Sequence, residues 1–265
     1  MQMPKPAWPK AIDVSEANNA GRPIDWAQVV PKLKTRGIDR VIVRASYGAG
    51  YEDALFAHNW TALGKLGFPR GAYHAAVPSE VPNFIESSHQ QAGFFWDIVK
   101  THGGMTDKDF AVLDLEITGG LAPAPLTKWG HQWFLGLEKA MAPHTHRTVF
   151  YSYVAFIEAY MTDYYLLRIR PLWVADYTGG TALPTKAPPN VGDWTRYYGW
   201  QYTDQGSVAG IYGPVDLSVF DPAVVESPLK TLEAELARVN KEITALLKER
   251  KTLKAKIARL KQSGG

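Results

Sequence analysis

The sequence predicts an α/β protein whose body is a TIM-like β/α barrel, followed by a separate C-terminal helix. Three observations carry that expectation. Short β-type runs alternate with helical stretches from residue 11 to about 177, the pattern of parallel strands joined by crossover helices. Most of these runs end in a polar residue, and the C-terminal rim of the sheet is where a barrel assembles its site. Beyond about residue 190 the alternation fades into β-type runs joined by Gly-containing turns, so β-structure rather than further β/α units closes the barrel.

The expected strands cover residues 11–14, 41–45, 71–75, 110–116, 148–153 and 172–176, with Asp13, Arg44, His74, Asp114 with Glu116, and Asp176 near their ends. Residues 197–203, 211–212 and 215–220 read as antiparallel strands. The organisation is then an N-terminal extension (1–10), a catalytic barrel (11–222), a linker (223–228) framed by Pro222 and Pro228, and a basic helix (229–262). At 265 residues, with 46% hydrophobic and 12% aromatic side chains, the chain supplies a core of barrel size.

The most informative run is Phe110-Ala-Val-Leu-Asp-Leu-Glu-Ile117, which sets Asp114 and Glu116 among apolar residues. Positions i and i+2 of a strand share a face. Carboxyls in such surroundings shift their pKa or require a partner, so they serve chemistry or structural pairing. Asp107-Lys-Asp109 reads instead as a polar turn, and Glu233-Ala-Glu235 as a charged helix, which leaves Asp114 and Glu116 as the one pair expected to be buried. Asp13 either holds a hydrogen-bond network at the site or caps the turn at residues 15–19. Asp216, after Gly213-Pro214, is either a site residue or turn chemistry. Tyr73, Tyr151, Tyr177 and Trp200 are candidate binding aromatics, with core packing as the competing use.

Several classes are excluded or unsupported. There are no cysteines, hence no disulfides, thiolate metal sites or cysteine nucleophiles. The histidines show no zinc spacing; His144-Thr-His146, the one close pair, reads as a surface turn. No P-loop or G-x-G-x-x-G occurs, so neither a cofactor nor a nucleic-acid partner is expected. The proline-rich first ten residues lack an apolar run, which predicts synthesis in the cytoplasm without a signal peptide.

The net charge of +3 is unevenly spread. From Pro228 onward ten Lys/Arg face four Glu, a net of +6, and the remainder carries −3. Leu229, Leu232, Leu236, Val239, Ile243, Leu246, Arg250, Leu253, Ile257 and Leu260 recur in steps of three and four, a coiled-coil seam with one charged intrusion. That pattern predicts a homo-oligomer, a dimer first, with contact between the basic face and anionic wall polymers or a membrane surface as a second role.

Eight segments in order resemble glycoside hydrolase family 25, the Chalaropsis-type lysozymes that include many phage endolysins. They are Ile12-Asp-Val-Ser15, Ile24-Asp-Trp26, Val41-Ile-Val-Arg-Ala-Ser-Tyr-Gly48, Gly71-Ala-Tyr-His74, Val112-Leu-Asp-Leu-Glu116, Leu172-Trp-Val-Ala175, Trp200-Gln-Tyr202 and Gly213-Pro-Val-Asp216. The resemblance implies a flattened barrel of five β/α units closed by β-strands. It also implies hydrolysis of the β-1,4 bond between N-acetylmuramic acid and N-acetylglucosamine in peptidoglycan. On that basis Glu116 is expected as general acid/base, with Asp114, Asp13 and Asp216 as the other acidic members, and retention as the stereochemical outcome. That resemblance, taken with the missing signal peptide and the appended helix, implies a phage endolysin released by a holin-type or other non-Sec route. The rival readings are a chitinase-like barrel, weakened because Val112 stands where its acidic strand carries a middle Asp, and an inactive wall-binding or phage structural protein working through its coiled coil.

Overall fold

The structure, a computed structural model, describes residues 8–143, 147–177, 180–183 and 185–222, together with residues 240, 243–244, 246–248 and 250–252. In chain order the elements are β1 (Lys10–Val14), α1 (Trp26–Thr35), β2 (Ile38–Tyr47), β3 (Tyr51–Glu52), α2 (Phe56–Lys65), β4 (Arg70–Ala75) and α3 (Phe84–Thr101). They continue with β5 (Phe110–Asp114), α4 (Pro123–Met141), β6 (Arg147–Tyr153), α5 (Val154–Tyr160), β7 (Leu172–Ala175), β8 (Gly199–Gly206) and β9 (Val215–Phe220).

Strands β1, β2, β4, β5, β6, β7 and β8 pair in parallel in that order, and β9 pairs antiparallel with both β8 and β1, which closes the barrel. The short β3 hangs on β2 outside the closed ring. Five β/α units followed by three closing strands is the architecture expected. The details differ in two places. Strand β8 is parallel to β7 and antiparallel only to β9, and residues 211–212 form no strand.

Alternation along each strand sorts side chains into two cores. Ile12, Val41, Val43, Ala72, Ala111, Leu113, Phe150, Leu172 and Val174 face outward and pack under the helices, where α3 and α4 lie side by side. Ala11, Ile42, Phe110, Val112, Val149, Trp173 and Phe220 face inward and fill the lower barrel. Gly199 makes room for that filling: a Cβ there would meet Phe220 at 2.5 Å and Trp173 at 2.8 Å.

Asp109, assigned to a polar turn from sequence, is buried at the bottom of the barrel. It forms a 2.8 Å ion pair with Arg70 and accepts from the Thr106 amide at 2.8 Å. Burial therefore does not single out the Asp114–Glu116 pair, and pairing distinguishes them better.

By contacts the chain divides into Met1–Val225 and Glu226–Gly265. In the second unit the described residues are helical, and Thr244 and Thr252 donate to the carbonyls of Asn240 and Lys248. Of the expected seam, Ile243, Leu246 and Arg250 are among them; Leu229, Leu232, Leu236, Val239, Leu253, Ile257 and Leu260 lie outside the described residues, as do His144 and His146.

Candidate active site

The C-terminal ends of the strands surround a cavity of about 340 Å³ lined by Asp13 (β1), Arg44 and Tyr47 (β2), Tyr73 and Ala75 (β4), Asp114 and Glu116 (β5 and just beyond), Tyr151 (β6), Trp173 and Tyr177 (β7 and beyond), Gln201 (β8) and Asp216 (β9). All four expected acids meet here. The strand pleat places them: inward positions lie two apart, so one step up from Ala11, Ile42, Val112 and Val149 stand Asp13, Arg44, Asp114 and Tyr151.

Strand β5 ends at Asp114, two residues earlier than expected. The Leu115 amide still donates to the Tyr151 carbonyl at 3.1 Å, and the chain then leaves the sheet. Asp114 is consequently half-buried and Glu116 is exposed at the mouth, rather than both being sunk in a strand. Beyond it Gly119, at φ +57°, comes so close to Pro78 that a Cβ would lie 1.8 Å from its carbonyl oxygen; only glycine fits that return.

Among the described residues, Arg44 is the one basic residue lining the cavity. Its guanidinium is shared with Asp53 at 2.9 Å and Glu16 at 3.1 Å, which limits what it offers the site. The carboxyls therefore hold protons unusually firmly. Burial raises Asp114 well above the ordinary carboxylate range; Glu116 adds to the rise and Arg44 opposes it. Burial also lifts Asp13 strongly, and Asp216, its partner across the β1–β9 ladder, lifts it further. Burial holds Asp216 above its usual value as well, while its contact with Asp13 pulls it back down. Glu116 is raised by desolvation against the cavity wall and by Asp216, while the Tyr151 hydroxyl pulls the other way. Oδ1 of Asp114 is buried without a hydrogen-bond partner, an acceptor facing an otherwise satisfied wall.

Gln201 ties the opposite wall together. Its amide nitrogen donates to Asp13 at 2.8 Å, and its amide oxygen accepts from Tyr151 at 2.8 Å and from Tyr177 at 2.6 Å. Asp13 thus belongs to the cavity network; the turn at residues 15–19 is held by Ser15 and Asn18 instead. Asp216 likewise sits in β9 rather than in a turn. Tyr73, Tyr151 and Tyr177 reach the cavity as expected. Trp200 does not. It is fully buried on the outward face, and its indole N–H donates to the Asp176 carbonyl at 3.0 Å, so it cannot serve as a sugar platform. Alternation in β8 turns Gln201 inward and its neighbours Trp200 and Tyr202 outward, a signal present in the sequence but masked by the size of the aromatics. Arg44, one of the polar strand ends, also lines the cavity, together with Tyr47, Trp173 and Gln201, which were not among the expected site residues. His74, one of the polar strand ends, points outward, buried between Ser46 and Gln91 and stacked on Trp133.

The family model for glycosyl hydrolases family 25 matches residues 12–211, stopping just short of Asp216. YegX of Escherichia coli K12, an uncharacterized protein, is 34% identical over 218 residues, covering 81% of this chain and 70% of its own. Lysozyme M1 of Streptomyces globisporus is 28% identical over 223 residues, covering 80% of this chain and 67% of the relative. Among solved structures, the spore cortex lytic enzyme SleM of Clostridium perfringens superposes with a TM-score of 0.68 at 31% identity, across 83% of this chain and 69% of that one. The chain spans about two thirds of the length of each. The match runs through the barrel strands that bring Asp13, Asp114 and Glu116 together, and this chain belongs to glycosyl hydrolases family 25 as a glycoside hydrolase.

Proposed function

We propose that this glycoside hydrolase degrades peptidoglycan as an N-acetylmuramidase, cutting the β-1,4 bond between N-acetylmuramic acid and N-acetylglucosamine with retention. The observation that carries the proposal is the convergence of Asp13, Asp114, Glu116 and Asp216 on one cavity that Arg44 alone offsets. The names of the similar proteins, a lysozyme and a spore cortex lytic enzyme, point to the same substrate class.

Glycoside hydrolysis requires an acid to protonate the departing oxygen and a carboxylate or substrate group to meet the oxocarbenium-like centre. Glu116 is the proton donor: it stands at the mouth, where a glycosidic oxygen can reach it, and desolvation makes it hold its proton more firmly than an ordinary glutamate. Asp114 lies one pleat below on the same cavity wall, and its carboxylate accepts from the substrate or attacks the anomeric carbon. Asp13 and Asp216 hold one proton between them and fix the opposite wall through Gln201. Tyr73, Tyr151 and Tyr177 supply rings and hydroxyls around the sugar.

Digestion of purified peptidoglycan, followed by identification of the new reducing ends, tests the bond assignment. Reducing N-acetylmuramic acid is the expected product; reducing N-acetylglucosamine contradicts it. A fluorosugar trapped on wild type but not on Asp114→Asn assigns direct attack, whereas trapping on neither assigns the substrate's acetamido group.

The segment 229–262 is proposed as a basic coiled coil that dimerises the enzyme, and the chain as a phage endolysin released by a holin-type or other non-Sec route. The seam spacing and the net +6 of the tail support the first. Light scattering of the full chain at micromolar concentration across a salt series tests it: a dimer that persists in salt is expected, and a monomer overturns it.

A further inference from the structure

Glu116 lines two cavities. One is the catalytic cavity; the other, of about 430 Å³, lies on its far side and is lined by Tyr153 at the end of β6, Val154, Ala155 and Glu158 on α5, and Asp176 and Tyr177 beyond β7. Tyr177 belongs to both, and its hydroxyl is held on the catalytic side by Gln201 at 2.6 Å. Two aromatic rings are left open to solvent in the second cavity. Tyr153 is 37% exposed and Tyr177 47%, although Tyr153 has the buried Phe156 only 5.6 Å from its ring centroid. Exposed ring area at the rim of a cavity is free energy that a covering ligand gains.

A general acid must stand within hydrogen-bond reach of the oxygen it protonates, and in a glycoside that oxygen joins the two sugars. With Glu116 as that acid, one sugar lies on each side of it. The sugar that carries the anomeric carbon belongs with Asp114, Asp13 and Asp216, which line the first cavity and not the second. We propose that the second cavity, beside Tyr153, is the site of the departing sugar, and that it takes an uncharged N-acetylhexosamine rather than a muramyl residue. The proposal rests on the assignment of Glu116 as general acid. Among the described residues, every charged side chain lining this cavity is acidic, namely Glu116, Glu158 and Asp176, whereas Arg44 stands in the first. Like charge disfavours the lactyl carboxyl of a bare muramyl sugar and the carboxyls of a peptide stem. The hydroxyls and amide N–H of N-acetylglucosamine are donors that these acceptors match. The order of the two cavities about Glu116 then sets which bond is cut: the muramyl sugar sits with Asp114, and N-acetylglucosamine leaves with the proton on its oxygen.

Inhibition of peptidoglycan digestion by two small sugars tests the proposal, with N,N′-diacetylchitobiose as the uncharged probe and N-acetylmuramic acid as the anionic one. Diacetylchitobiose is expected to inhibit wild type competitively. Tyr153→Ala raises its inhibition constant about tenfold, the size of one ring half covered by a ligand, and raises KM for peptidoglycan in the same direction. Tyr153→Phe, which keeps the ring, restores both. Any inhibition by N-acetylmuramic acid is the same in all three proteins. The side chain is at the surface, so its removal leaves the barrel core intact. No inhibition of wild type by diacetylchitobiose overturns the proposal. So does an inhibition constant that Tyr153→Ala leaves unchanged, or a loss confined to N-acetylmuramic acid. The assignment of Glu116 fails in a different way: if Glu116→Gln digests peptidoglycan at the wild-type rate, Glu116 is not the acid, whatever the two sugars do.

Discussion

The two ends of the barrel interior are built from the same strands and differ by one step of the pleat. At the lower end Ala11, Ile42, Phe110, Val149 and Phe220 meet ring to ring and ring to methyl, and the acid at that end, Asp109, is paired with Arg70. At the upper end Asp13, Arg44, Asp114 and Tyr151 occupy the equivalent inward positions around an open cavity. Asp109 and Asp114 bound the two ends of one five-residue strand run, one ion-paired and one with a buried oxygen left unpartnered. Stability is concentrated below and chemical tension above, so substitutions at the two ends should act on different observables.

The largest effect expected at the lower end comes from Phe110→Ala. Phe110 is fully buried against Phe220, and its removal leaves a cavity worth about 3–5 kcal/mol of stability by thermal or denaturant unfolding. The fraction still folded at 25 °C should turn over substrate within a fewfold of wild type. A large loss of kcat/KM in that fraction would break the separation of the two ends.

His74 gives the next largest effect, on the outward side of β4. Burial holds its pKa down at about 4, so the ring is neutral in the folded state and charges more readily when unfolded, where its ordinary value is 6.5. A depressed imidazole contributes stability above pH 6.5 that is lost as pH falls toward 4, on the order of 3 kcal/mol across that window. Compared with His74→Gln, wild type should show this extra loss on acidification; parallel stability curves for the two proteins would contradict it.

The acids at the mouth have the opposite sign and a smaller effect. Asp114 has a raised pKa from burial and from Glu116, so the unfolded chain ionises first and stability drains away as pH rises through the folded value. Asp114→Asn should therefore match wild type in midpoint near pH 3.5 and exceed it at pH 7, while losing activity. A variant that is less stable than wild type at neutral pH would show that Asp114 is structural. Tyr177→Phe sharpens the same point with the smallest change: it removes one of two donors to Gln201, and a cost of about 1 kcal/mol with a modest rise in KM is expected from calorimetry and kinetics.

Much of this organisation is legible in the sequence because barrel strands announce themselves by spacing. Six parallel strands and the acids Asp13, Asp114 and Glu116 follow from apolar runs with polar ends, whereas Asp216 reads as turn chemistry until the eight ordered motifs set it beside them. What escaped detection depends on direction. Trp200 and Gln201 are neighbours, and an aromatic attracts the role of sugar platform, yet the parity of β8 sends the tryptophan under the outer layer and the glutamine into the cavity. Asp109 looked like turn chemistry because its partner, Arg70, is thirty-nine residues away and pairs with it only through the β4–β5 register. The position of Glu116 at the mouth depends on where β5 stops, and strand ends are set by hydrogen bonds to the neighbouring strand rather than by local composition.

We propose that Glu116 supplies the proton for glycoside cleavage at the upper end without supporting the fold below. It is tested most directly by measuring, on one preparation of Glu116→Gln, both the release of reducing ends from purified peptidoglycan and the thermal midpoint. A fall in rate of about 10²–10⁴-fold is expected, with the midpoint equal to or above that of wild type. Reducing ends released at the wild-type rate, or a rate lost only because the protein has unfolded, would contradict it.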